Sequence, residues 1–168
     1  MKVLVIGGGG REHAIVDSLS RSRQVTKIYC APGNAGIAAK AELVPLKDSD
    51  VEGLVAFAEA NKPDLTVVGP ESALAAGVVD AFRSRGLRIF GPTKAAARIE
   101  ASKGFAKDLM AQYGIPTAGY LVFDAYDKAS EYVRSPGAPL VLKYAGLAAG
   151  KGVVVSLTAG EADPALRA

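Results

Sequence analysis

Four consecutive glycines, Gly7, Gly8, Gly9 and Gly10, run straight into Arg11, Glu12 and His13. Glycines let the backbone turn tightly and leave amide N–H groups open to a ligand. A helix that starts there points its positive dipole end into the same space. Such a turn suits a phosphate or a carboxylate. The bland alternative is a tight turn with no ligand, but four glycines in a row are entropically costly. Two further stretches carry similar chemistry: Pro32, Gly33, Asn34 and Gly36, and then Gly69, Pro70 and Glu71. Glu71 and Arg11 add charged groups able to orient a ligand; a solvated surface role is the alternative for each.

These residues need a frame to hold them. Residues 2–6 form an apolar, β-branched run, the pattern of a strand buried on both faces. Ile15, Val16 and Leu19 then fall on one helical face. Strands are expected at 27–31, 42–46, 64–68 and 87–90. Helices are expected around Val51, Leu54, Val55 and Ala58, and around Leu74, Val78, Ala81 and Phe82. Alternating units with short connections predict an α/β fold with a doubly wound parallel sheet. Ligands of such sheets sit beyond the carboxyl ends of the strands, where the glycines cluster.

An NAD-type turn is the obvious rival. Its G-x-G-x-x-G fingerprint requires glycine where Glu12 stands, and an acidic residue after the second strand. That strand instead runs into Pro32, Gly33 and Asn34. An anionic small molecule is expected, and a dinucleotide is not.

Residues 93–113 read as two short helices with Thr93 and Ser102 as N-caps. A domain boundary is expected between about residues 91 and 117. Beyond it, strands are expected at 120–123, 139–144 and 153–156, with a helix at 126–134. The last two strands flank a small-residue tip: Ala145, Gly146, Leu147, Ala148, Ala149, Gly150, Lys151 and Gly152. This is not a P-loop, because Gly152 replaces the hydroxyl residue and a strand follows. A flexible hairpin with open amides and a lysine can fold over phosphates as a lid, and Lys143 can reach the same nucleotide. The plain alternative is an exposed hairpin with ordinary surface lysines. The tip is expected to exchange its amides faster than residues 1–92.

Bulk composition narrows the partners. The 168 residues are 49% hydrophobic, enough for a sizeable core. Net charge is +3, and the 20 basic residues are scattered, so nucleic acid is not indicated. No run is apolar enough to span a membrane. The strand begins at once, so no signal peptide is expected. The single cysteine, Cys30, suits a reducing cytoplasm and buried packing.

Taken in order, KVLVIGGGGREHA, APGNAG, DLTVVGPE, GVVDAFRSRGLRIFGPT, Ser102-Lys103, GIPTA and LVLKYAGLAAGKGVVV resemble the phosphoribosylamine–glycine ligases (glycinamide ribonucleotide synthetases). The resemblance covers nearly the whole chain. It implies a Rossmann-like pre-ATP-grasp domain over 1–100, a helical linker over 101–116 and the beginning of an ATP-grasp domain over 117–168. It also implies a cytoplasmic ligase of purine biosynthesis, with ATP and Mg²⁺ as cofactors and with glycine and phosphoribosylamine as substrates. Glycine would take the γ-phosphate of ATP, and the amine of phosphoribosylamine would attack the acyl phosphate. Gly8, Gly9, Gly10, Arg11, Glu12, Pro32, Gly33, Asn34, Gly36, Gly69, Pro70 and Glu71 would line the phosphoribosylamine side. Lys103, Lys143 and residues 146–152 would bind ATP. A helix-terminus or packing role is expected for His13.

Two departures stand out. Tyr144 and Ala145 replace the usual residues of the family's K-A-[DS]-G motif. The family's Mg²⁺ ligands lie in a later segment, and the tail over 158–168 carries only Glu161 and Asp163. The chain therefore reads as a truncated ligase, inactive alone. The alternatives are a non-catalytic nucleotide- or phosphosugar-binding module and another ATP-grasp carboxylate–amine ligase.

Overall fold

The structure, a computed structural model, describes residues 1–135, 139–148 and 152–166. It divides into two compact units, Met1–Ala101 and Ser102–Ala168.

In the first unit five strands form one parallel sheet: β1 (Lys2–Gly7), β2 (Lys27–Pro32), β3 (Glu42–Leu43), β4 (Leu65–Val68) and β5 (Ile89–Phe90). Their order is β3-β2-β1-β4-β5. The chain thus winds outward one way from β1, then crosses to the other side of it. The expected doubly wound sheet is present, and its topological switch point lies between β1 and β4. The pleat sends successive side chains of β1 to opposite faces. Val3 and Val5 pack with Val16 of α1 (Gly10–Ser20), Ile28, Cys30 and Ile37. Leu4 and Ile6 pack with Leu54, Val55 and Ala58 of α2 (Val51–Asn61) and with Val78, Val79 and Phe82. Each face of the sheet has its own core. Asp50 caps α2, its carboxylate accepting from the Gly53 N–H at 3.0 Å.

The helix expected around residues 74–82 is two helices, α3 (Glu71–Ala76) and α4 (Val78–Ser84). Gly77 separates them at φ +97, a left-handed conformation that ends the first helix. Strands β3 and β5 have two residues each, shorter than expected. Helix α5 spans Lys94–Ala101.

The second unit opens with α6 (Lys103–Gln112), capped by Ser102 as expected, whose hydroxyl accepts from the Phe105 N–H. The strand expected at 120–123 does not form. Leu121 and Val122 are exposed there and have no strand partner among the described residues. Helix α7 (Tyr126–Arg134) and the antiparallel hairpin of β6 (Leu140–Lys143) and β7 (Val153–Ser156) do form. A last helix, α8 (Ala159–Ala165), packs against α7 and the hairpin.

Helix α8 holds this unit through Asp163. Its carboxylate accepts from Ser130 Oγ, from Arg134 Nη2 at 3.1 Å and from Tyr126 OH at 3.4 Å. The Ser130 hydrogen bond, then Arg134, holds the carboxyl below the usual carboxylate range. A folded value below the unfolded one stabilises the fold above the unfolded value, near pH 4. That contribution is lost as pH falls through the folded value. Asp163→Asn should therefore unfold at lower urea than the wild type at pH 7, with the gap closing on acidification. A gap unchanged from neutral to strongly acid pH would show that the charge plays no part.

Candidate functional site

The site is built at the carboxyl ends of β1, β2 and β4. Each strand delivers a glycine-containing loop to one place, and the loops are tied to one another. After β1, Gly7 turns at φ +124 and the chain enters α1 with Gly9 as N-cap. The Gly33 N–H donates to Gly7 O at 3.1 Å, and the Gly69 N–H donates to Ile6 O at 3.0 Å. Asn34 joins the first two loops. Its Nδ2 donates to Gly8 O at 2.8 Å, while its Oδ1 accepts from the Ile37 N–H at 3.0 Å. Only glycine fits at Gly8, because a Cβ would stand 2.6 Å from the Gly33 carbonyl oxygen.

Buried at the centre is Glu12, 3% exposed. Its Oε2 accepts from the Gly9 N–H at 2.7 Å. Its Oε1 accepts no hydrogen bond, and Arg11 Nε lies 3.3 Å from it as an ion-pair partner. The Arg11 guanidinium reaches on to Glu71, with Nη2 to Oε2 at 3.3 Å. It thereby spans the β1 and β4 loops while remaining exposed. A side chain on Gly69 would collide with the Glu12 carboxylate.

Gly9, Gly10 and Arg11 lie exposed at the mouth. The first-turn amides of α1 have no intrahelical acceptor, so the helix offers donors where its dipole is positive. His13 is partly buried, with its ring against Gly36, where a Cβ would fall 2.6 Å from Cε1. Pro32 is exposed and follows a cis peptide bond.

Cys30 lies beneath the turn. Its thiol donates to Gly7 O at 3.3 Å, and burial, then the Glu12 charge, pushes it up to about 11. It is a packed thiol, as its apolar strand suggested. Gly7, first of the glycines expected to turn the chain, is the pivot of the turn. The burial of Glu12 escaped sequence reading, because it depends on a loop some 60 residues further along the chain.

In the second unit Lys103 meets the hairpin. Its N–H donates to Ala145 O at 3.0 Å and its Nζ to Gly146 O at 2.8 Å. The Tyr144 N–H donates to Gly152 O at 2.8 Å, closing the base of the tip. Lys143, Leu147 and Gly152 are exposed, and Gly146 and Ala148 are partly buried. Ala149, Gly150 and Lys151 lie outside the described residues. Among the described residues, no group of three His, Cys, Asp or Glu side chains assembles a metal site. No described helix is long and apolar enough to cross a membrane.

The fold is one that ATP-grasp enzymes share. A carboxyaminoimidazole ribonucleotide synthase from Aspergillus clavatus, solved with ATP, superposes with a TM-score of 0.75 over 99% of this chain and 44% of its own. Its identity is 21%, so it speaks for the fold alone. A phosphoribosylamine–glycine ligase structure from Thermotoga maritima is 30% identical, with a TM-score of 0.74 over 98% of this chain and 38% of its own. The phosphoribosylamine–glycine ligase of Xylella fastidiosa is 55% identical over 99% of this chain. Residues 1–100 match the phosphoribosylglycinamide synthetase N domain, and residues 101–168 match that family's ATP-grasp (A) domain. The chain belongs to the phosphoribosylglycinamide synthetase family. It spans 39% of the length of the Xylella relative.

Proposed function

We propose that this chain supplies the phosphosugar-binding part, and the first elements of the nucleotide-binding part, of a phosphoribosylamine–glycine ligase. One observation carries the reading: three glycine-containing loops at the switch point of the parallel sheet are locked to each other around the exposed residues Gly10 and Arg11 that begin α1. That arrangement supports a sugar phosphate as the ligand, with Gly8, Gly10, Arg11, Asn34 and Glu71 as the residues to meet it.

In the reaction, a glycine carboxylate oxygen attacks the γ-phosphorus of ATP and ADP leaves. The phosphoribosylamine nitrogen then attacks the glycyl carbonyl, loses a proton, and expels phosphate. No side chain need act as a nucleophile. The protein's task is positioning and charge stabilisation. Lys103, Lys143 and the 146–152 tip are assigned to ATP. Lys103 already sits against the Gly146 carbonyl, so a phosphate group would compete with that oxygen for the ammonium. Mg²⁺ would accompany the nucleotide phosphates, with no ligand assigned to the described residues.

Amide NMR tests the assignment. Ribose 5-phosphate should shift signals of the loops at 8–11, 33–36 and 69–71. ATP should shift those of Lys103 and residues 143–148 instead. Tight NAD binding with no response to ribose 5-phosphate would remove the reading of the first turn.

A further inference from the structure

Glu12 stands where a dinucleotide fold requires its third glycine, the one that permits close helix–strand packing. Here that space is filled. A Cβ on Gly7 would lie 2.6 Å from Glu12 Cγ and 2.8 Å from Pro70 Cδ, and one on Gly69 would collide with the carboxylate itself. Glu12 is therefore wedged between the β1 and β4 loops and is 3% exposed.

The wedge has two polar consequences. Oε2 takes the Gly9 N–H at 2.7 Å, a distance typical of a charge-assisted bond. The N-cap amide is thus occupied from inside the protein. Oε1, buried and without a hydrogen bond, lies 3.3 Å from Arg11 Nε. The same guanidinium meets Glu71 Oε2 at 3.3 Å through Nη2. Two carboxylates, from the first turns of α1 and α3, therefore set the direction of one exposed cation.

We infer that Glu12 is a positioning residue rather than a ligand contact. It withdraws the Gly9 amide from the site and aims Arg11, so that a phosphate is taken by the Gly10 and Arg11 amides and the Arg11 guanidinium. This rests on the phosphosugar reading above. The burial of Glu12 itself is independent of that reading.

The test is titration of the ¹⁵N-labelled chain with ribose 5-phosphate, in the wild type, Glu12→Gln and Glu12→Ala. In the wild type, Gly10 and Arg11 amides should respond while Gly9, held by the carboxylate, stays still. In Glu12→Ala the Gly9 amide is released, so it should move upfield in the free protein and join the response to ligand. Affinity should fall about tenfold or more in both variants, the scale of one lost hydrogen bond to a charged group. A purely structural Glu12 would lower the melting temperature without changing which amides respond. Two results overturn the inference and leave the phosphosugar reading standing. One is a Gly9 response in the wild type equal to that of Gly10, which needs no variant to fold. The other is equal or tighter binding by Glu12→Gln. No response at any amide of the turn would instead overturn the phosphosugar reading and this inference with it.

Discussion

Gly7→Ala is expected to destabilise the first unit by about 2–6 kcal/mol and to abolish ribose 5-phosphate binding. Two costs add. Gly7 sits at φ +124, where an L side chain is strained, at about 1–3 kcal/mol. The new Cβ would also fall 2.6 Å from Glu12 Cγ, 2.7 Å from Glu12 Cδ and 2.8 Å from Pro70 Cδ. Overpacking of this kind costs about 1–3 kcal/mol. Glu12 has no slack with which to relieve it, because its carboxylate is wedged beside Gly69 and bonded to Gly9. Against a typical total of about 5–15 kcal/mol the loss is severe. Gly10→Ala is the control. Nothing lies within 4 Å of its Cβ position, and it begins α1. Alanine there should be neutral or stabilising by up to about 1 kcal/mol. Urea unfolding of both variants, followed by ribose 5-phosphate titration, decides the matter. Equal stability of the two would show that the turn tolerates a side chain at its pivot.

Local signals carried much of the fold. The apolar run before Gly7 and the helical spacing of Ile15, Val16 and Leu19 marked β1 and α1 directly. The strand–helix alternation then fixed a parallel sheet, and its switch point lies where the glycine loops meet. What failed to show was settled by neighbours distant in sequence, or by weak residues. Leu74, Val78, Ala81 and Phe82 keep helical spacing across Gly77, so periodicity alone did not reveal the break. Residues 120–123 have strand composition, but no described strand pairs with them, and composition without a partner makes no strand. Helix α8 carries Gly160 and Pro164, both poor helix formers. It is held instead by the Thr158 cap and by Asp163 against Ser130 and Arg134. The candidate site divides in the same way. Gly8, Asn34 and Glu71 were legible as types in a pattern. That Asn34 ties two loops, and that Glu12 is buried among them, follows only from the β1–β2 and β1–β4 pairings.

The other large effect lies in the core that holds those pairings in place. Phe82→Ala is expected to cost about 3–5 kcal/mol. Phe82 is fully buried on α4, in the cluster that joins Leu4 and Ile6 of β1 to Leu54 and Val55 of α2. Truncation removes the ring's transfer energy and leaves a cavity that the surrounding strands and helices cannot fill by collapse. Because β1 carries the glycine turn on its carboxyl end, the loosened face should also raise the exchange rates of the Ile6 and Gly69 amides. Phe90 supplies the contrast. It is the same residue type in the same unit, on edge strand β5, yet 70% exposed. Phe90→Ala should change stability by no more than about 0.5 kcal/mol. Urea denaturation with the m-value checked for constancy separates a true stability loss from a change in the unfolded chain. A Phe82→Ala midpoint within error of Phe90→Ala would mean that this helix is not packed on the sheet through Phe82.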